Sequence, residues 1–187
     1  VDLILASASP QRRTLLGEAG YGFKVVPADV PEIAEGPEPV HIALLNAEAK
    51  ARAVASDLGP DVVVLGADTV VDAGGVPLGQ PADEAEAASF LRLLSGTQHE
   101  VHTGVCVVHA EGERSGVASV RVRFRQLSEL DVASYVERGE WKGRAGGYAI
   151  QETGDAFVEA IEGDFDCCVG LPMRLVAELL PESVQPA

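Results

Sequence analysis

Residues 61–71, DVVVLGADTVV, constrain the fold most, because they form an apolar run nearly unbroken by polar residues. Alternating apolar and polar positions would mark a strand with one wet face; a continuous run marks a strand buried on both. A chain containing such a strand must cover two faces of a sheet, and helices are the usual cover. Helical patterns lie on both sides of it in the sequence. PQRRTLLGEAG follows a short apolar run at Leu3 to Leu5, a helix is expected from about His41 to Leu58, and ADEAEAASFLRLLSG and SELDVASYVERG follow later. Further strands are expected near Phe23 to Val26, Glu100 to His109 and Val117 to Gln126, the last two as a hairpin. A short strand, a Gly-rich turn and a helix beginning near Leu171 complete the pattern between Ala156 and Leu180. The expected fold class is therefore α/β, with a mixed sheet and flanking helices in one unit of 187 residues.

Charge narrows the function. A formal net charge of −15 repels polyphosphate backbones and anionic membranes, so neither a nucleic-acid polymer nor a membrane surface is expected as a partner. Any phosphate site must be local. Three cysteines, two of them adjacent in an apolar run, fit buried thiols in a reducing cytoplasm better than a disulfide framework.

The first helix carries an electrostatic anomaly. Ser9 is a good N-cap, Pro10 suits the first helical position and Gly20 ends the segment, which puts Arg12 and Arg13 in the first turn. Cations there cost roughly 0.3–1 kcal/mol each unless an anion is near. Ser7, Ser9, Arg12 and Arg13 converge where a strand ends and a helix begins, the place where open α/β sheets bind ligands and helix N-termini bind phosphate. The alternative is that both arginines are solvated or pair with local acids.

Other candidates have equally plain alternatives. Asp68, read as the end of the apolar strand, follows Gly66 and Ala67, which leave room for a ligand; it is a metal ligand or proton acceptor, or else a turn residue. Glu32 in ADVPEIAEG is a second carboxylate for a metal or a solvated loop acid. Lys50 lies on a helix of mostly small residues, where an exposed helix lysine is the plainer reading. His99 and His102 have the spacing of a metal pair, but in a strand residues three apart face opposite ways, so no zinc site is expected. Arg121, Arg123 and Arg125 alternate with Val120, Val122 and Phe124 and read as the solvated face of a strand. RAGGYAIQETG has glycines that permit close backbone approach and a glutamine, Gln151, that can both donate to and accept from a nucleobase.

Taken in order, LASASPQRR, the Glu32 loop, AEAKA, LGADTVV, LGQP, HEVHTGV, RAGGYAIQETG and CCVGLPM resemble the Maf-type nucleoside triphosphate pyrophosphatases from end to end. The resemblance implies a long twisted mixed sheet, two lobes around a cleft, kinship with the inosine triphosphate pyrophosphatases, and a homodimer. It implies hydrolysis of a nucleoside triphosphate to the monophosphate and pyrophosphate with Mg²⁺ or Mn²⁺. By position, Arg12 becomes a triphosphate ligand with Ser7 and Ser9 beside it. Asp68 becomes the proton acceptor, Glu32 a metal or water ligand alongside Asp68, and Lys50 a phosphate-neutralising cation. Thr69 and Gln151 match base-selecting positions of the branch acting on dTTP and UTP. Three departures stand out: Gln11 replaces an arginine of that branch, Gln80 a lysine, and Asp164 and Asp166 replace Ser and Asn. Gln11 keeps a preference for 7-methyl-GTP, or broader triphosphate use, open. Arg13, one beyond the usual pair, compensates or is simply exposed. A reading of another class, from the family's association with septum formation, is a nucleotide-binding regulator without turnover.

Overall fold

A computed structural model describes residues 2–151 and 153–186. Its centre is β3 (Val62–Asp72), eleven residues long and buried along most of its length. One edge of β3 pairs in parallel with β1 (Asp2–Leu5), which pairs in parallel with β2 (Phe23–Val25). Its other edge pairs antiparallel with β5 (Gln98–His109), which continues into β6 (Gly112–Phe124) and β7 (Val158–Glu162). The short β4 (Pro77–Leu78) pairs with the far end of β3. The result is a seven-stranded sheet, mixed as expected from the sequence, in the order β2-β1-β3-β5-β6-β7 with β4 off that path.

Among the described residues, six α-helices flank it. These are α1 (Pro10–Glu18), α2 (Pro39–Leu58), α3 (Glu84–Leu94), α4 (Glu129–Arg138), α5 (Phe165–Val169) and α6 (Met173–Leu179). Each of the first, third and fourth begins as its sequence indicates: Ser9, Asp83 and Ser128 accept a backbone N–H at the N-cap, and Ser128 with Asp131 forms a capping box. Among the described residues, no helix is long and apolar enough to cross a membrane.

The sheet carries two apolar clusters on the face away from α2. One gathers Leu3, Leu5, Leu65, Ala67 and Val105 with Leu16 of α1 and Val176 of α6. The other gathers Val71, Val101, Val122 and Phe124 with residues of α3 and α4, including Leu91, Leu94 and Tyr135. Along β3 and β5 the polar pair Thr69 and Thr103 separates them, with their hydroxyls 2.9 Å apart. These clusters are the cores of the two expected lobes, and the cleft opens at their junction.

On the opposite face α2 lies unusually close to the sheet, and two glycines permit it. A Cβ on Gly66 would come within 2.5 Å of the Ala47 carbonyl oxygen and 2.8 Å of the Ala51 nitrogen, and one on Gly104 would collide with the backbone of Ala43. The alanines at 43, 47 and 51 are fully buried there. The room read beside Gly66 for a ligand is therefore filled by helix, and its effect is to bring the polar residues of α2 down onto β3.

Two sequence readings of the sheet are corrected. Asp68 stands within β3, whose pairing with β5 continues four residues further to Asp72. β6 starts at Gly112, earlier than expected, because its polar first half completes a continuous ladder with β5 although its side chains are exposed. Arg121 and Arg123 lie on its solvated side as expected, facing Glu100, Glu162 and Glu159.

Candidate active site

The inequality between β1 and β3 creates the site. β1 pairs with β3 only as far as Leu5 with Leu65, and Ala6 N–H closes that ladder on the Leu65 carbonyl. Beyond it β3 runs on without a neighbour on that edge until β4 joins at Val71. Into this gap comes the N-terminal turn of α1. The arrangement matches the rule that ligands bind open α/β sheets beyond the carboxyl ends of the parallel strands.

Arg12 fills the gap. Its Nη1 donates to the Ala67 carbonyl at 2.9 Å and to Ser7 Oγ at 3.1 Å, its Nε to the Gly170 carbonyl at 2.8 Å, and its Nη2 to Thr69 Oγ1 at 3.2 Å. Four of the five guanidinium N–H groups are thereby engaged, leaving one on Nη2 for a ligand. Burial favours losing the charge, while Asp68 and Glu32 favour keeping it, and the balance lowers the guanidinium pKa from its ordinary value. The first-turn arginine is thus chiefly a tie from α1 to β3 and to the turn after α5, carrying its charge at the helix N-terminus. Arg13 is exposed and does not line the cleft, so the resemblance to a phosphate-binding pair reaches only Arg12.

The hydroxyls beside it are arranged to donate. Ser7 Oγ accepts from both Arg12 Nη1 and the Ser9 N–H at 3.2 Å, and its own proton remains. Ser9 Oγ accepts from the Arg12 N–H at 3.4 Å. The Gln11 amide satisfies both its neighbours with its nitrogen 2.9 Å from Ser9 Oγ and its oxygen 2.9 and 3.0 Å from the Arg144 Nη atoms. Ser9 then also keeps a proton to give. Thr103 donates to the Cys167 carbonyl at 2.9 Å, which obliges Thr69 to donate to Thr103 and to accept from Arg12. Thr69, matched by resemblance to base selection, therefore anchors Arg12.

On the α2 side, the Lys50 ammonium stands 2.6 Å from Asp68 Oδ1 and 2.6 Å from Glu32 Oε1. Lys50 and Asp68 are both buried; Glu32, on the loop after β2, is half exposed. One cation balances two carboxylates here. Asn46, which sequence reasoning did not single out, adds an Nδ2 donor to Asp68 Oδ2 at 3.0 Å.

The cleft between these groups opens to solvent. Ser9, Arg12, Lys50 and Asp68 line one end, while Gln80, Arg144, Tyr148, Ile150 and Gln151 line the remainder. Tyr148 is buried, with its hydroxyl 2.9 Å from His99 Nε2, and burial raises its pKa well above the ordinary value. Gln151 is exposed at the mouth. Asp164 and Asp166 lie outside the lining: Asp164 precedes α5, and Asp166 accepts the Met173 N–H at 2.7 Å at the start of α6.

His99 and His102 face opposite sides of the sheet, as the strand reading required. His99 packs edge-on against Phe124 and Tyr148. His102 has Nδ1 2.7 Å from Ser119 Oγ and Nε2 3.5 and 3.7 Å from carboxylate oxygens of Asp72 and Glu100. That grouping escaped sequence reading because Asp72 and Glu100 meet only across the β3–β5 ladder.

Residues 2–183 match the family model described as Maf-like protein. A protein of Deinococcus radiodurans named dTTP/UTP pyrophosphatase is 49% identical over 178 residues, covering 95% of this chain and 91% of its own. One of the same name from Thermococcus onnurineus is 45% identical over 177 residues, covering 95% of each. Among solved structures, a HAM1 protein from Coxiella burnetii superposes with a TM-score of 0.50 at 17% identity, covering 84% of this chain and 91% of that one, a likeness of fold. With its long mixed sheet, its two-lobed cleft and a family match that runs almost from end to end, the chain belongs to the Maf family.

Proposed function

We propose that this protein is a nucleoside triphosphate pyrophosphatase, cleaving dTTP and UTP foremost to the monophosphate and pyrophosphate. The observation that carries the reading is the cluster of half-exposed Glu32 with buried Lys50 and Asp68, the last two lining one cleft with Arg12. A pure nucleotide-binding regulator has use for Lys50 and Arg12, but a buried carboxylate at a phosphate site repels its ligand unless it takes a proton or holds a cation. The names of the relatives support the pyrimidine substrates.

In this reading the triphosphate lies with its phosphates near the α1 N-terminus, where Ser9 donates, Arg12 contributes its charge and one N–H, and Lys50 neutralises phosphate oxygens. Asp68 takes a proton from a water that attacks the α-phosphorus in line; the new P–O bond forms as the bond to the β-phosphate oxygen breaks, and pyrophosphate leaves. General-base help of this kind is worth about 10²–10⁴-fold. Fixed charges aimed at the migrating negative charge supply much of the rest. Glu32 and Asp68 are hard oxygen donors that share a single monovalent partner, which fits a Mg²⁺ or Mn²⁺ ion. Such an ion, held by these two carboxylates, would supply Lewis-acid stabilisation of phosphate charge. In this reading Gln151, which lines the cleft, meets the base. Three free thiols, two of them fully buried, support a cytoplasmic setting, and a homodimer is the assembly implied by family resemblance.

The test is a panel of dTTP, UTP, CTP, GTP and 7-methyl-GTP with Mg²⁺ or Mn²⁺, assayed for pyrophosphate. Release from dTTP and UTP above the others is expected. No release from any triphosphate would overturn the enzymatic reading, and preference for 7-methyl-GTP would overturn the substrate.

A further inference from the structure

Glu32 lies on an irregular loop, whereas Asp68 and Lys50 lie on a strand and a helix packed hard together. A site made from such unequal parts works only if the loop is held. Among the described residues, the loop of residues 27–37 makes no backbone–backbone hydrogen bond to the sheet or helices. Its polar ties are the Glu32 contact to Lys50 and a pair of hydrogen bonds to one side chain, Asn46.

That side chain is used almost to capacity. Asn46 Oδ1 accepts the Ile33 N–H at 2.8 Å, while Nδ2 donates to the Ile33 carbonyl at 3.0 Å and to Asp68 Oδ2 at 3.0 Å. Turning the amide over would set its nitrogen against the Ile33 N–H and its oxygen against both a carbonyl and a carboxylate, so its orientation is fixed by its partners. Asn46 is 3% exposed, so water cannot readily replace these bonds. Polar residues on the sheet-facing side of a helix are otherwise costly, and the neighbours here, at 43, 47 and 51, are alanines.

We propose that Asn46 is a positioning residue that locks the Glu32 loop and Asp68 at one separation, so that both carboxylates are preorganised before a ligand arrives. The proposal rests on the pyrophosphatase reading for its catalytic consequence, but the clamp itself can be tested apart from turnover. Glu32 is the residue immediately before Ile33, so two bonds to the Ile33 peptide fix the backbone from which the carboxylate projects. The third bond holds Asp68 Oδ2 and leaves Oδ1 to Lys50. Orienting groups of this type typically govern about 10–100-fold of activity or metal affinity.

The experiment compares the full-length protein with Asn46→Ala and Asn46→Asp by hydrogen exchange and by dTTP turnover. In Asn46→Ala, amides of residues 28–36 should exchange at least about tenfold faster while the sheet amides keep their protection. The kcat should fall about 10–100-fold with KM changed far less. Asn46→Asp keeps the volume but opposes a carboxylate to Asp68 and to the Ile33 carbonyl. Its loop amides should likewise exchange faster and its kcat fall with KM changed far less, a split that a merely structural role would not give. Wild-type loop exchange in Asn46→Ala, or an unchanged kcat per folded molecule with lower stability alone, would overturn the proposal. Should Asn46→Ala not fold, the isosteric Asp variant decides by the same two readouts. If the wild-type protein hydrolyses no triphosphate, the functional reading fails, whereas loop exchange still decides the clamp: faster exchange upholds it and unchanged exchange refutes it.

Discussion

The guanidinium of Arg12 occupies the place of a missing strand beside Ala67, donating at 2.9 Å to a carbonyl that β1 is too short to reach. The same side chain reaches the Gly170 carbonyl at 2.8 Å, so one residue ties the first helix to the central strand and to the turn after α5. Its charge at a helix N-terminus, an anomaly locally, is the consequence of filling a gap in the sheet next to the cleft.

Arg12→Lys should therefore be a severe change despite keeping the charge. A lysine has one nitrogen and no fork, and it abandons most of four acceptors, each buried polar group left unpaired costing about 1–3 kcal/mol. The expected outcome is a lowered thermal midpoint together with a fall in turnover of about 100-fold, measured by calorimetry and by pyrophosphate release. A variant with wild-type stability would contradict the clamp.

Gly66→Ala is expected to cost about 2 kcal/mol, in the usual range for overpacking, because the added methyl meets α2 backbone at 2.5 and 2.8 Å. The helix must lift, carrying Lys50 and Asn46 away from Asp68, so turnover should drop with stability. Urea unfolding and steady-state kinetics on the same preparation check both. Loss of stability with full activity would show that the close approach of α2 does not set the site.

Much of this architecture was legible. The apolar run of β3, the cap at Ser9 and the polar periodicity around Arg121 and Arg123 are local signals, and the structure follows them. What escaped was set by partners distant in sequence. Asp68 reads as a strand end because a carboxylate looks like one, yet pairing with β5 carries β3 through it to Asp72, one residue beyond the apolar run. α5 has only five residues, too few for a helical period to show. Asn46 is an unremarkable polar residue among alanines until the loop thirteen positions earlier folds onto it. Gly66 advertised space, but only the packed helix shows what fills it.

His99 should make the protein acid-sensitive. Burial lowers its pKa from 6.5 to about 4, while in the unfolded chain it titrates near its ordinary value. The unfolded state thus binds the proton first. Stability is intact above pH 6.5, is lost as pH falls toward 4, and the full penalty there is about 3 kcal/mol. In urea unfolding between pH 7.5 and 4.5, His99→Gln is expected to lose less stability than wild type. An equal loss would mean that His99 does not remain neutral in the folded protein.

The central claim is that Asp68 directs water to the α-phosphorus, and hydrolysis of dTTP in ¹⁸O-labelled water tests it most directly. Mass spectrometry of the products should find the label in dTMP and none in pyrophosphate, with neither product formed by Asp68→Asn although that variant still binds dTTP. Label in pyrophosphate, release of orthophosphate, or undiminished turnover by Asp68→Asn would contradict it.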